Sequence, residues 1–240
     1  SRLSTSNFIT YVNSDYARSR GIEAEFRKRI GKWFRGSVSG SYSITTGKSS
    51  TPDQAVLVAR GIQDETIKET YVVWDRPLQF HLNATFTVQQ NEPLFGFAPG
   101  ILDDYMVHVR GFYESGKRYT PSRLDGTLQN GRPNYVSDYN NLLGSLGQPW
   151  FWIDMNIEKY IRVSGLEFTL SVQIKNLVDI RNSAIINPVT GKAYEFGDPT
   201  PSGWNDPLYP QLQAPVSPFP LNPARYLTGR NVQVGLAMRF

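Results

Sequence analysis

The chain has 240 residues, 25 basic and 21 acidic side chains, a formal net charge of +4 and no cysteine. The missing cysteines exclude a disulfide scaffold, a thiolate metal centre and a cysteine nucleophile, and two histidines leave little imidazole chemistry. A hydrophobic share of 40% argues against disorder, yet no apolar run approaches the ~18 residues that a membrane helix needs.

The mean hydropathy of −0.38 has the look of a soluble protein. That inference has one gap, because a transmembrane β-barrel alternates lipid-facing and lumen-facing residues and its average conceals both. Ser1 to Thr10 reads SRLSTSNFIT, with no Lys/Arg-led apolar signal. Either the chain needs no export or its true beginning lies upstream.

In chain order, a weak alternation first sets Ile22, Ala24 and Phe26 against Glu23, Glu25 and Arg27. From Phe34 it becomes strict: Phe34, Gly36, Val38, Gly40, Tyr42 and Ile44 interleave with Arg35, Ser37, Ser39, Ser41, Ser43 and Thr45. Phe80, Leu82, Ala84, Phe86 and Val88 then alternate with Gln79, His81, Asn83, Thr85, Thr87 and Gln89. Val107, Val109, Gly111 and Tyr113 face away from Met106, His108, Arg110, Phe112 and Glu114. Phe151, Ile153, Met155 and Ile157 oppose Trp152, Asp154, Asn156 and Glu158. Leu166, Phe168, Leu170, Val172 and Ile174 form the next apolar set, and Val232, Val234, Leu236, Met238 and Phe240 close the chain. This predicts seven strands, with Phe34, Val38, Tyr42, Phe80, Leu82, Phe86, Phe168, Leu170 and Val172 turned to lipid.

A soluble antiparallel sandwich also alternates. Its strands, however, usually run about 5–6 residues, and its connections do not alternate between short and long. Here the short links fall at Gly31 to Trp33 and Val163 to Gly165, with a medium one from Asn91 to Asp103. Long links run from Gly47 to Asp75, Lys117 to Trp150 and Ile180 to Arg225. Short turns on one side and long loops on the other are the layout of an outer-membrane barrel. The last loop holds eight of the 16 prolines between Pro199 and Pro223, with Trp204, Tyr209 and Phe219, and reads as a stiff excursion. Within it, Asn187 to Phe196 is expected to be a turn feeding a short extended stretch.

Trp33, Phe34 and Phe240 fall beside the short turns, and Tyr42, Tyr113 and Trp150 near the opposite strand ends, as aromatic girdles would. The charges are interleaved, so no basic stripe marks a nucleic-acid groove and no nucleic-acid partner is expected. His81 and His108 fall on the lumen face with unequal offsets from the turn between them, which favours lumen hydrogen bonding over a metal site. The carboxylates Glu23, Glu25, Asp154 and Glu158 are expected to pair with arginines of neighbouring strands. GKSS at Gly47 to Ser50 lacks the upstream glycine of a phosphate loop, since Tyr42 stands there. No nucleophile, base and orienter come together, so no enzyme activity, cofactor or metal is expected.

Single-chain bacterial barrels have an even number of strands with both ends in the periplasm. Counting back from a periplasmic C-terminus makes all three long loops extracellular and leaves Ser1 to Asn13 outside the cell. Seven is odd, so the chain is expected to begin partway round a barrel. A complete eight-stranded barrel would need its extra strand in Ser1 to Asn13, where only SNFITY is a candidate.

The ordered pieces YVNSDYARSRGIEAEFRKRI, FRGSVSGSYSITTGKSS, WDRPLQFHLNATF, IDMNIEKYIRVSGLEFTLSVQIKNLVDIRN and GRNVQVGLAMRF resemble the C-terminal part of TonB-dependent outer-membrane receptors. The recurring motifs are Ala17 to Glu23, Trp74 to Pro77, Asn176 to Asp179 and the terminal Phe240, and the GKSS ending resembles Bacteroidetes-like receptors. The resemblance spans nearly the whole chain and implies that residues 1–240 are the last seven or eight strands of a barrel of about 22. It also implies an N-terminal plug upstream and import of a scarce ligand (metal chelate, cobalamin, glycan or peptide) powered through TonB. Implied partners are outer-membrane lipid, the ligand, the TonB complex through the plug, the barrel-insertion machinery and a surface lipoprotein. The ligand-binding residues are not named by it. Val232, Val234, Leu236, Met238 and Phe240 resemble the outer-membrane assembly signal, whose edge pairs with the insertion machinery. A surface-binding or structural barrel that transports nothing is the competing expectation. An isolated piece with two open edges in lipid is expected to be unstable.

Overall fold

The computed structural model describes residues 16–48, 69–92, 103–195, 197–201 and 225–239. Among them the chain forms β1 (Ala17–Ile30), β2 (Phe34–Gly47), β3 (Thr70–Tyr71), β4 (Leu78–Val88), β5 (Tyr105–Glu114), β6 (Arg118–Tyr119), β7 (Ser122–Thr127), β8 (Pro133–Ser137), β9 (Ser145–Leu146), β10 (Trp150–Val163), β11 (Leu166–Lys175) and β12 (Asn231–Arg239). A 3-10 turn, Tyr139–Asn141, is the one complete helical element among the described residues. The fold is all-β and antiparallel.

The seven long strands are those that the alternation predicts, and they pair as a meander in the order β1-β2-β4-β5-β10-β11-β12, with β3 added to β2. They run 9 to 14 residues. At about 3.3 Å per residue a ten-residue strand tilted by about 35–45° rises about 23–27 Å, comparable with the ~25 Å apolar band of an outer membrane. Two links are tight: Gly31 to Trp33, and Ser164–Gly165, whose φ values of +53° and +85° suit a two-residue primed turn. All three long loops leave from the opposite end of the sheet.

Residues directly opposite across a ladder share a face, so the register assigns faces without ambiguity. Phe34 lies opposite Phe86, Val38 opposite Leu82, Tyr42 opposite Leu78, and Gly40 opposite Phe80. Leu82 continues to Gly111 and Ile153, and Phe86 to Val107 and Ile157. Ile157 meets Val172, which meets Val234, while Phe168 meets Met238 and Leu170 meets Leu236. One apolar face thus runs unbroken through all seven strands and includes every residue expected to face lipid. Its only charged members among the described residues are Arg18, Arg20, Lys28 and Lys159, all cationic and all towards strand ends.

The face is bare. Val38, Tyr42 and Phe80 in the sheet interior are 47%, 48% and 45% exposed, and Leu236 on the outer strand is 74% exposed. Substantial contacts between strands among the described residues run only along the ladders, so the sheet is a single layer. The second sheet that a sandwich requires is not among the described residues. The sheet is open there too: β1 and β12 are its edges and do not pair with each other.

Burial is concentrated elsewhere. Val72, Asp75, Arg118, Asn176, Asn182, Ser183, Asn187 and Tyr194, all in the long loops, are almost fully enclosed. Two short strand pairs that alternation does not predict, β6–β9 and β7–β8, organise the 115–149 connection. The first is only two residues deep. The second turns at Asn130–Gly131, where Gly131 has φ +77° and Leu128 N–H donates to Arg132 O at 2.8 Å.

Candidate functional site

The loop end of the sheet carries a cap built from polar groups. Asp75, in the WDRP segment, accepts the Thr45 backbone N–H at 2.8 Å through one oxygen and the Arg118 Nε–H at 2.9 Å through the other. The pair is buried, with side-chain exposures of 0% and 8%. Arg118 also stacks 3.8 Å from the Tyr71 ring and donates to Gly144 O. Such a pair is held by its full set of hydrogen bonds and not by charge attraction alone. It fixes the first long loop to the second.

Next to it, Trp150 Nε1–H donates to Ser183 O at 2.7 Å, and the Arg76 and Lys117 cations lie 4.7 and 5.3 Å from its ring centre. Burial draws the Arg76 guanidinium below its ordinary value, and the carboxylate of Glu114, 3.4 Å away, opposes that shift. Lys117 reaches Ala184 O. Asn182 imitates a strand by accepting from Phe151 N–H and donating to Phe151 O. Gly116 sits so close to Gly147 O that a Cβ would lie 1.9 Å from it, so only glycine permits this approach. These contacts tie the second loop to the third. Burial also raises the Tyr119 phenol above its ordinary value, against a hydrogen bond with Ser145 that lowers it.

Asn187 to Ala193 closes as the expected turn: Gly191 N–H donates to Asn187 O, and Ile186 bridges Ala193. Most of the proline-rich stretch, with Trp204, Tyr209 and Phe219, lies outside the described residues, as do Phe196 and Phe240.

The second feature is the polar face of the sheet. An open concavity of about 490 Å³ lies on β1, β2 and β4, lined by Glu25, Arg27, Arg29, Arg35, Asn83 and Thr85 among others. Towards the loop end, Trp152 stacks on Phe112 at 4.3 Å and His81 meets Phe112 edge-on at 4.8 Å. These three rings satisfy one another as a cross-strand aromatic row.

The two histidines do not come together. His81 pairs with Phe112, whereas His108 pairs with Thr85, whose Oγ1 lies 3.0 Å from His108 Nδ1. Among the described residues no three His, Asp or Glu side chains could hold a metal ion. Arg110 pairs with Asp154 across strands at 2.7 Å, as expected. Glu25 departs from expectation by pairing with Arg27 of its own strand, at 2.6 and 2.7 Å. Glu158 likewise accepts from Asn156 and Tyr160 of its own strand.

Comparisons with protein-family profiles, with curated proteins and with solved structures find no match. The site must therefore be read from its own geometry.

Trp150 requires a correction. Its place at a strand end suggests the outer aromatic girdle, but it lies opposite Glu114, on the polar face. Its N–H and its ring are both used within the cap. Trp33 lies in the tight turn beside β2, with the rings of Phe34 and Phe86 at 5.9 and 6.3 Å. Of the terminal assembly residues, Val232, Val234, Leu236 and Met238 lie on β12, on the apolar face. Arg118 is the functional residue most thoroughly hidden from sequence reading, since nothing near it in the chain identifies Asp75 as its partner 43 residues away.

Proposed function

We propose that the chain is the C-terminal part of a TonB-dependent outer-membrane receptor that imports a scarce extracellular ligand. The observation that carries this reading is the single-layer meander with an uncovered apolar face through all seven long strands. In water such a face is unfavourable by about 25 cal/mol for each Å² left exposed. Facing acyl chains, it is in its proper solvent. The placement of its few charges at strand ends supports the same reading, because long cationic side chains reach headgroups from there. No helix among the described residues is long and apolar enough to cross a membrane, so strands would do the crossing.

In this proposal the barrel of about 22 strands is completed by strands beyond the seven seen here. The capped loops face the outside, and the edge of β12 serves assembly before joining the barrel's other end. The partners are outer-membrane lipid, a small-molecule, glycan or peptide ligand, the TonB complex acting through a plug, the insertion machinery and a surface lipoprotein. The protein is expected to fractionate with the outer membrane, and uptake of its ligand is expected to cease when TonB is deleted. Recovery in the soluble fraction would overturn the membrane assignment.

A second reading is a surface-binding barrel that transports nothing. The cap favours it to the extent that buried contacts such as Asp75–Arg118 hold the loops to one another. It predicts ligand binding at the cell surface with no TonB-dependent uptake.

A further inference from the structure

We propose that the concavity on the polar face of β1, β2 and β4 binds a small multivalent anion carrying carboxylate or phosphate oxygens. Arg29 and Arg35 stand directly opposite each other in the β1–β2 ladder. Like charges in that position destabilise a strand pair, and among the described residues neither guanidinium has a carboxylate partner. The nearby carboxylate of Glu25 is already engaged by both forks of Arg27.

The row that starts with Arg29 and Arg35 continues through Thr85, His108 and Asn156 to Gln173 and contains no acidic side chain. Ser37 and Asn83 line the same concavity with a hydroxyl and an amide. Two planar guanidinium forks beside neutral donors match an anion with several oxygens, which each fork can take in a bidentate manner. The concave wall concentrates their field. A single monovalent anion would neutralise only one of the two opposed charges, which selects a ligand with at least two anionic groups.

The inference rests on the proposed function in one respect, that this face lines the barrel interior and does not meet lipid. Outer-membrane fractionation of the same preparations reads that point separately. The test is calorimetric titration of the detergent-solubilised full-length protein, at low salt, with citrate and with inorganic pyrophosphate. Saturable binding is expected, weakened about tenfold or more in R29Q/R35Q. K32Q in the adjacent turn should change it less than about twofold. R35K, which keeps the charge but loses the fork, should fall between wild type and the double variant and provides the result if R29Q/R35Q does not fold. Binding of citrate alone assigns a carboxylate ligand, and binding of pyrophosphate alone a phosphate ligand. Absence of saturable binding by both probes, or an affinity unchanged in R29Q/R35Q and R35K, overturns the proposal.

Discussion

The sheet and the cap at its loop end distribute polarity in opposite ways. On the sheet, large apolar side chains such as Phe26, Val38 and Phe80 stay exposed across an entire face. In the cap, the enclosed side chains are chiefly Asp75, Arg118, Asn182, Ser183 and Asn187. A water-soluble domain would reverse both. The difference teaches that the two regions are stabilised by different means: the sheet by its ladders, with one apolar face left uncovered, the cap by completing the hydrogen bonds of groups it removes from water.

The sharpest way to break the cap is Asp75→Ala. It leaves the buried Arg118 guanidinium without its carboxylate and the Thr45 N–H without its acceptor. A loss of about 3–5 kcal/mol is expected in denaturant unfolding of the micelle-bound protein. Replacing both partners with apolar residues should recover part of that loss, which would separate the cost of an orphaned charge from the worth of the pair.

The sheet is tested by Phe80→Arg, which places a cation at a bare apolar position. Phe80 lies two residues inside the loop end of β4, opposite Tyr113, so the cost in bilayer insertion is expected to be about 1–2 kcal/mol, below the about 2–4 kcal/mol of a midplane position. Gln79→Arg, one residue away on the other face, should be tolerated. Trp150→Phe keeps a ring for Arg76 and Lys117 but removes the donor to Ser183 O, and should cost about 1 kcal/mol by the same unfolding assay.

The smallest effect is expected from Tyr119, whose phenol is raised by burial. A raised value in the folded state contributes stability that is complete below the ordinary phenol pKa of about 10 and is lost as pH rises through the folded value. Tyr119→Phe should flatten that alkaline loss in a pH series of melting temperatures.

The seven long strands were legible because period-2 alternation is the pattern that a single-layer sheet with one apolar and one polar face imposes on its sequence. The cap was legible only in part. The WDRP segment stood out as a motif, but its role depends on Arg118, and that contact is made by chain closure and not by spacing. The β7–β8 hairpin carried no alternation, and its Asn130–Gly131 turn lay within a stretch read as one long link. The two-residue β6–β9 pairing carried none either. Position at a strand end suggested the wrong face for Trp150, whereas counting parity from Phe151 puts it on the polar side with Glu114. The opposed Arg29 and Arg35 became visible only when the register of β1 and β2 placed them together.

The central claim is that the uncovered face meets lipid. These 240 residues contain no cysteine, so single cysteines placed in turn along β4 can be read in native membranes with a water-soluble maleimide, against the parent protein as background. Labelling is expected at positions 79, 81, 83 and 85 and not at 80, 82, 84 and 86, with a lipid-soluble reagent reversing the pattern. Equal labelling of the two sets by the water-soluble reagent would contradict the account.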